Sequence, residues 1–327
     1  MAYSADVVRR ARARLAEMKA DKESMQLQRL QAAYARIPRL QEIDVALRSS
    51  MAQAAQTVFA QGGDAKAAME KVRQENLSLQ QERAALIKEN FSENYLEETP
   101  VCDRCGGSGY IGTQMCSCLQ ALCRKEQKQA LSLLACGQAD FTDFRLDYYP
   151  ETMDSKYNAS PRTVMARTFA YCQKYAEGFD GNSGNLLFVG NTGLGKTLLS
   201  ACIATAAADK GYSVAYESAP HLFTKLEKNR FNPTAETAAE AETFTKCDLL
   251  IVDDLGTELP GNFVTAALYT LVNDRILSGK PTIVSTNLNV EEIAQRYSPQ
   301  IASRLRGNYR QLTFVGEDIR LLKARGI

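Results

Sequence analysis

The chain has 327 residues, of which 45% are hydrophobic and 24% charged, with a formal net charge of +1. That length suits two or three domains, and the even charge balance excludes bulk attraction to nucleic acid or to an anionic membrane, leaving only local patches for such contacts. No charged-then-apolar leader and no apolar run near the ~18 residues needed to span a bilayer is present, so a cytoplasmic protein is expected, with its nine cysteines as reduced thiols or metal ligands.

From Ser4 to about Asn90, apolar residues recur at helical spacing: Leu40, Ile43, Leu47, Met51, Ala54 and Val58, then Ala65, Met69, Val72, Leu79 and Leu86. Pro38 and the pair Gly62-Gly63 divide this stretch into three predicted helices. Their narrow apolar stripes fit a hairpin or small bundle. An all-α domain over residues 1–98 is expected, either purely structural or a docking arm for a partner protein. Arg9, Arg10, Arg12 and Arg14 face only Asp6 in the first turns, which suits a solvated face as well as an acidic partner.

Residues 99–124 carry Cys102-x2-Cys105 and, ten residues on, Cys116-x-Cys118, with Gly106, Gly107, Gly109 and Gly112 between them. Such a turn brings thiolates together, and glycine lets the backbone wrap tightly; tetrahedral Zn²⁺ is the natural guest for four sulfurs. The sole histidine, His221, is distant, so a local site is all-cysteine, with Cys123 as a substitute for one of the close pair. The other reading is a glycine-rich loop of free thiols. No thioredoxin-like βαβ pattern surrounds the CxxC, which disfavours a redox role. Four protein ligands would leave the metal no open position, hence a structural role.

A linker over 125–159 includes the aromatic run Phe141 to Pro150, and Ser160-Pro161 reads as an N-cap and N1 proline opening a helix to about Phe179. From there "NLLFVG", "YSVAYE", "CDLLIVDD" and "PTIVSTN" alternate as strands with helical segments. The pattern predicts an α/β domain over 160–327, a parallel sheet flanked by helices with ligands at the strand C-terminal ends.

Gly190-Asn191-Thr192-Gly193-Leu194-Gly195-Lys196-Thr197 is a complete GxxxxGK[ST] in strand-to-helix context. Its backbone N–H groups, continuing to Leu198, would cradle ATP phosphates; Lys196 would reach the β- and γ-phosphates and Thr197 would ligate Mg²⁺. "LLIVDD" ends in Asp253, placed for the Mg²⁺ shell, and Asp254, a candidate to polarise the attacking water with Glu258 as its rival. Asn287 ends a neighbouring strand, where it can hold the water or the γ-phosphate. Arg304, in "SPQIASRLRG", is placed to act on the γ-phosphate of an adjoining subunit.

The segments "GNTGLGKTLLSACIA", "LLIVDDLGTE", "LYTLVNDRILSGKPTIVSTNL" and "IASRLRG" together resemble the DnaC/DnaI family of replicative-helicase loaders, AAA+ ATPases of the IstB/DnaC-like superfamily. The helical N-terminus and cysteine segment are similar to the DnaI-type arrangement. The resemblance implies a lidless AAA+ P-loop core that binds ATP and single-stranded DNA and self-associates. It also implies an N-terminal region that grips a DnaB-type hexamer, and a zinc knot that stiffens this grip and separates it from the motor. Arg320 is the candidate for a second sensor arginine. Asp254 stands where many AAA+ proteins carry glutamate, and its shorter reach would slow turnover. In this clade an extra DNA-binding helix falls where Lys225, Lys228, Arg230 and Phe231 lie in "HLFTKLEKNRF", with Phe263 as a second stacking platform. An amphipathic surface helix is the plainer account of that segment. Two other functions fit the motifs: an IstB-like transposition helper acting on duplex DNA, and a P-loop adaptor with no nucleic-acid role.

Overall fold

Three long helices open the chain: α1 (Ala5–Arg36), α2 (Pro38–Gln61) and α3 (Ala65–Asn90). The computed structural model describes residues 3–61, 65–92, 94–97, 99–134 and 139–325. Gly62 and Gly63 lie outside the described residues, as do the side chains of Met51, Ala54, Val58, Ala65 and Met69. Pro38 fits the first turn of α2, where a missing N–H costs nothing. Within the unit Arg14–Cys116, Asp44 of α2 joins all three helices: it accepts from Tyr34 of α1 at 2.7 Å and from Arg83 of α3 at 2.7 Å. Leu40 and Ile43 are buried beside it. After α3, Phe91 stacks on Tyr95 at 4.8 Å, and Arg36 and Arg29 of α1 lie over these two rings. The cysteine segment folds as a short hairpin, β1 (Tyr110–Ile111) against β2 (Gln114–Met115).

The other unit comprises Met1–Ala13 and Ser117–Ile327. It begins its globular part with α4 (Ser117–Leu134) and α5 (Pro161–Glu177). Ser160 caps α5 by accepting from the Thr163 N–H, with Pro161 in the first turn, as the sequence predicts. The strands are β3 (Asn185–Val189), β4 (Val214–Ser218), β5 (Leu249–Leu255), β6 (Thr282–Thr286) and β7 (Tyr309–Thr313). Between and after them run α6 (Lys196–Asp209), α7 (Ala219–Phe231), α8 (Ala235–Lys246), α9 (Asn262–Leu277), α10 (Val290–Arg296), α11 (Pro299–Asn308) and α12 (Ile319–Ala324). All strand pairs are parallel, in the order β4-β5-β6-β3-β7.

Strand residues alternate between two cores, as the pleat demands of a sheet covered on both faces. Leu187, Leu250, Val252 and Val284 face a core completed by α7 to α11. Leu186, Phe188, Ile251 and Ile283 face the other, with Met165 and Cys172 of α5, Leu199 and Ile203 of α6, and the aromatic residues Phe144 and Tyr149. The result is a helix–sheet–helix core in which β6, followed at once by Asn287, lies between β3, which leads into the glycine loop, and β5, which carries Asp253. Among the described residues, one short helix, α12, follows β7.

The compact units divide the chain differently from the sequence-based boundaries. Residues 117–134 form a helix of the second unit: Leu119 and Cys123 are fully buried, and Gln127 crosses to the edge strand. Its amide donates to the Tyr212 carbonyl at 2.9 Å and accepts from the Val214 N–H at 3.0 Å, as a neighbouring strand would. That engagement of Tyr212 accounts for β4 starting at Val214, two residues inside the predicted strand.

Candidate functional site

The glycine loop joins β3 to α6. Gly193 and Gly195 take left-handed φ values of 73° and 84°, and neither has room for a Cβ. On Gly193 a Cβ would sit 1.8 Å from the Asp318 carboxylate, and on Gly195 it would sit 2.9 Å from the Phe144 ring. Beneath the loop, Tyr149 donates its hydroxyl to the Leu194 carbonyl at 3.1 Å, so the aromatic run of the predicted linker is the floor of the site. From the other side, the Ile319 N–H bonds the Gly193 carbonyl at 3.0 Å.

Lys196 is 4% exposed and donates to the Gly190 and Asn191 carbonyls, each at 2.7 Å. Burial lowers its pKa, against the opposing charges of Asp254 and Asp253, with Arg320 acting in the same direction as burial. Thr197 and Leu198, in the first turn of α6, are partly buried. Asn191, Thr192 and Asn287 share a cleft of about 600 Å³ with Asp318, Leu322 and Arg325. The glycine loop, Lys196 and Asn287 thus lie at one end of the sheet, with both acids near enough to act on Lys196.

At the end of β5 the ladder slips between Val252 and Leu255, sending two successive acids in different directions. Asp253 is 6% exposed; it accepts from Tyr216 at 2.8 Å and from Ser285. Asp254 takes φ 54°, a conformation aspartate tolerates better than most residues, and its N–H donates to Ser285 Oγ at 2.9 Å. Crowding by protein and the neighbouring charge of Asp253 raise the Asp254 carboxyl above its ordinary range. Glu258 is occupied elsewhere: 5% exposed, it accepts from the Gly256 N–H at 3.0 Å and from Tyr297, and pairs with Arg296. Of the two rival acids, Asp254 is the one whose charge reaches Lys196.

Arg304 does not line the cleft. Its guanidinium lies 4.4 Å from the centre of the Tyr269 ring and donates to the Tyr269 hydroxyl at 2.7 Å and to Asn273 at 3.1 Å, on the outer face formed by α9 and α11.

The DNA-contact candidates separate into two groups. Lys225 pairs with Glu217 and lies over Phe244, away from the exposed aromatics. Phe231, 65% exposed, sits 6.5 Å from Phe263, and Arg230 lies 5.8 Å and 5.5 Å from the two ring centres. The two platforms read separately from the sequence therefore form one patch, with Lys228 exposed on the same helix.

The sulfurs of Cys102, Cys105, Cys116 and Cys118 all lie within 4.8 Å of one another. Cys102 and Cys116 are 3.8 Å apart, the separation that tetrahedral Zn–S bonds of about 2.3 Å require. The Gly109 N–H points at Cys105 Sγ at 3.3 Å, an outer contact typical of thiolate metal sites. Four thiols and no carboxylate fit zinc. Cys123, buried in α4 with its thiol pushed up to about 11 by burial, is not among the four, so the substitute ligand is ruled out.

Spacing gave no hint of Tyr216 and Ser285, which meet Asp253 only after folding, or of Ser200, which meets Tyr216. Ser285 lies two residues before Asn287 in its strand, the nearest thing to a signal.

The family model for the IstB-like ATP binding protein matches residues 165–305. The replicative helicase loader DnaC of Escherichia coli (strain K12) is 26% identical over 134 residues, covering 41% of this chain and 55% of the relative. An ATP-binding protein of insertion sequence IS232 from Bacillus thuringiensis subsp. berliner is 29% identical over 142 residues, 42% of this chain and 56% of the relative. The chain thus spans about half the length of these curated relatives. The solved structure of DnaI aligns with a TM-score of 0.45 at 19% identity, over 54% of this chain and 92% of that one. The likeness to IstB- and DnaC-type proteins holds over the nucleotide-binding core.

Proposed function

We propose that the protein is an ATP-hydrolysing loader that places a DnaB-type hexameric replicative helicase on single-stranded DNA. One observation carries the reading: Lys196, Asp253, Asp254 and Asn287 gather at one end of a parallel sheet, within a segment similar to IstB-like ATP-binding proteins and to a helicase loader. In this reading the N–H groups from Asn191 to Leu198 cradle the phosphates, and the Lys196 ammonium exchanges the Gly190 and Asn191 carbonyls for phosphate oxygens. Thr197 and Asp253 would hold Mg²⁺, which when bound would neutralise phosphate charge. Asp254 orients a water for attack on the γ-phosphorus as the bond to the bridging oxygen breaks; its raised pKa suits a group that draws on the water's proton. Asn287 steadies that water or the γ-phosphate. Arg304 serves a neighbouring copy, which makes hydrolysis depend on self-association.

Residues 1–98 would grip the helicase, and the four cysteines would close around a structural Zn²⁺ over 99–124. Single-stranded DNA would stack on Phe231 and Phe263 with Arg230 and Lys228 on its phosphates, Lys225 being committed to Glu217. Likeness to the IS232 protein favours one rival, a transposition helper that assembles on duplex DNA.

The test combines the protein with a replicative hexamer and a closed single-stranded circle, scoring phosphate release and helicase retained on the circle. Wild type should do both with ATP. Arg304→Ala should bind ATP yet hydrolyse ~10³-fold more slowly, and mixing it with Lys196→Ala should restore part of the activity at shared interfaces. Failure to retain helicase, with tighter binding to duplex than to single strands, would favour the transposition reading.

A further inference from the structure

Asp253 is the end point of a chain of hydroxyl groups supplied by three different elements. The Tyr216 hydroxyl, on edge strand β4, lies 2.8 Å from one carboxylate oxygen of Asp253, and Ser285, on β6, donates to the other. Ser200, on α6 one turn beyond Thr197, lies 3.0 Å from the Tyr216 hydroxyl. The Asp254 N–H donates to Ser285. Ser200 and Ser285 are fully buried, and Tyr216 is 7% exposed.

A proton inventory fixes the directions. An ionised carboxylate only accepts, so Tyr216 and Ser285 each commit their single hydroxyl proton to Asp253. The Ser200 hydroxyl also lies 3.0 Å from the Thr197 carbonyl, so its one proton is shared between that carbonyl and the Tyr216 oxygen, while Ser285 oxygen accepts from the Asp254 N–H. The hydroxyls of Tyr216 and Ser285 both point at one carboxylate. Both of its oxygens are held, so its plane cannot turn without breaking a charge-assisted bond. Ser285 also fixes the backbone of Asp254, tying the two acids to one hydroxyl.

We propose that Tyr216 and Ser285 are positioning residues that aim the Asp253 carboxylate at Mg²⁺ and thereby set the metal concentration at which the site responds. The inference rests on the nucleotide-site reading and adds two residues that touch neither nucleotide nor metal. Second-layer partners of metal ligands typically contribute 10- to 100-fold in metal affinity. Tyr216→Phe removes one hydroxyl while keeping the ring, and Ser285→Ala removes the other; Ser285→Thr retains it.

The experiment titrates Mg²⁺ against a fluorescent ATP analogue bound to full-length protein, beside a titration of the analogue in EDTA. Tyr216→Phe and Ser285→Ala should bind the analogue in EDTA within about twofold of wild type and melt cooperatively, while the Mg²⁺ midpoint rises about 10-fold. Ser285→Thr should restore it. In steady-state hydrolysis the same shift should appear in the Mg²⁺ requirement, with kcat at saturating metal falling less than the rate at low metal. Wild-type Mg²⁺ midpoints in both well-folded variants would overturn the aiming role and leave the nucleotide site standing. A wild-type protein that binds no nucleotide would overturn the site itself and this inference with it.

Discussion

Phe231→Ala should weaken single-strand binding by an amount the patch geometry sets. Phe231 is 65% exposed, and its ring lies 6.5 Å from that of Phe263 at an interplanar angle of 48°. Two stacking steps of about 3.4 Å each span about that distance, so a small closing of the tilt would let one base sit between the rings. Stacking on an aromatic side chain contributes roughly 1–3 kcal/mol per base, or about 5- to 150-fold in Kd at tenfold per 1.4 kcal/mol. Because both rings would hold the same base, Phe231→Ala and Phe263→Ala should overlap, and the double variant should lose less than the product of the two. Arg230→Ala should lower the salt slope by about 0.7, one released counterion on a single strand. Lys225→Ala, which removes only the partner of Glu217, should change little. Anisotropy of a labelled oligothymidine at several salt concentrations measures all five variants. If folded Phe231→Ala and Phe263→Ala both bind within twofold of wild type, the patch is no DNA platform.

Lys196→Ala should lower affinity for a non-hydrolysable ATP analogue by roughly 100-fold or more, since charged hydrogen bonds contribute about 1.5–3 kcal/mol each, while helicase pull-down stays intact; calorimetry reads the first. Protein purified without chelators should carry about one zinc per chain, lost in Cys102→Ser and kept in Cys123→Ser; metal analysis decides both. Asp254→Asn should abolish hydrolysis and raise the melting temperature at neutral pH. A carboxyl raised on folding stabilises the protein below its unfolded pKa, and that contribution fades as pH rises through the folded value, so asparagine escapes the cost. Wild-type hydrolysis should correspondingly fall on acidification at a higher pH than an ordinary aspartate would dictate.

What could be read in advance was whatever is encoded locally. The glycine loop, the apolar strand ending in two acids and the cap at Ser160 each reside in a few consecutive residues, and all appear where the sequence puts them. The cysteine quartet is nearly as local, and its one ambiguity, Cys123, was settled by a helix that buries that thiol elsewhere. Long-range pairing was not legible. Nothing near Tyr216 announces that its hydroxyl reaches residue 253, and nothing in "HLFTKLEKNRF" distinguishes Lys225, drawn back to Glu217, from Arg230, which lies beside two rings. α4 runs across residue 124, where the sequence reading set a boundary, because an amphipathic helix carries no label for the surface it will cover.

The Gln127 amide, set against Tyr212 and Val214, also bears on how copies of the protein meet. The rim of an open sheet is a template on which another chain can crystallise as an extra strand, the first step toward amyloid-like stacking. Here one side chain takes the place of that extra strand at the point where β4 begins, satisfying the Tyr212 carbonyl and the Val214 N–H from within. In the assembly proposed above, copies would meet through the faces of helices, where Arg304 lies on Tyr269, and such contacts close on a defined number of neighbours or come apart again. A loader of the kind proposed, which would gather for one event and disperse afterwards, is better served by joints of that kind than by a seam that only grows.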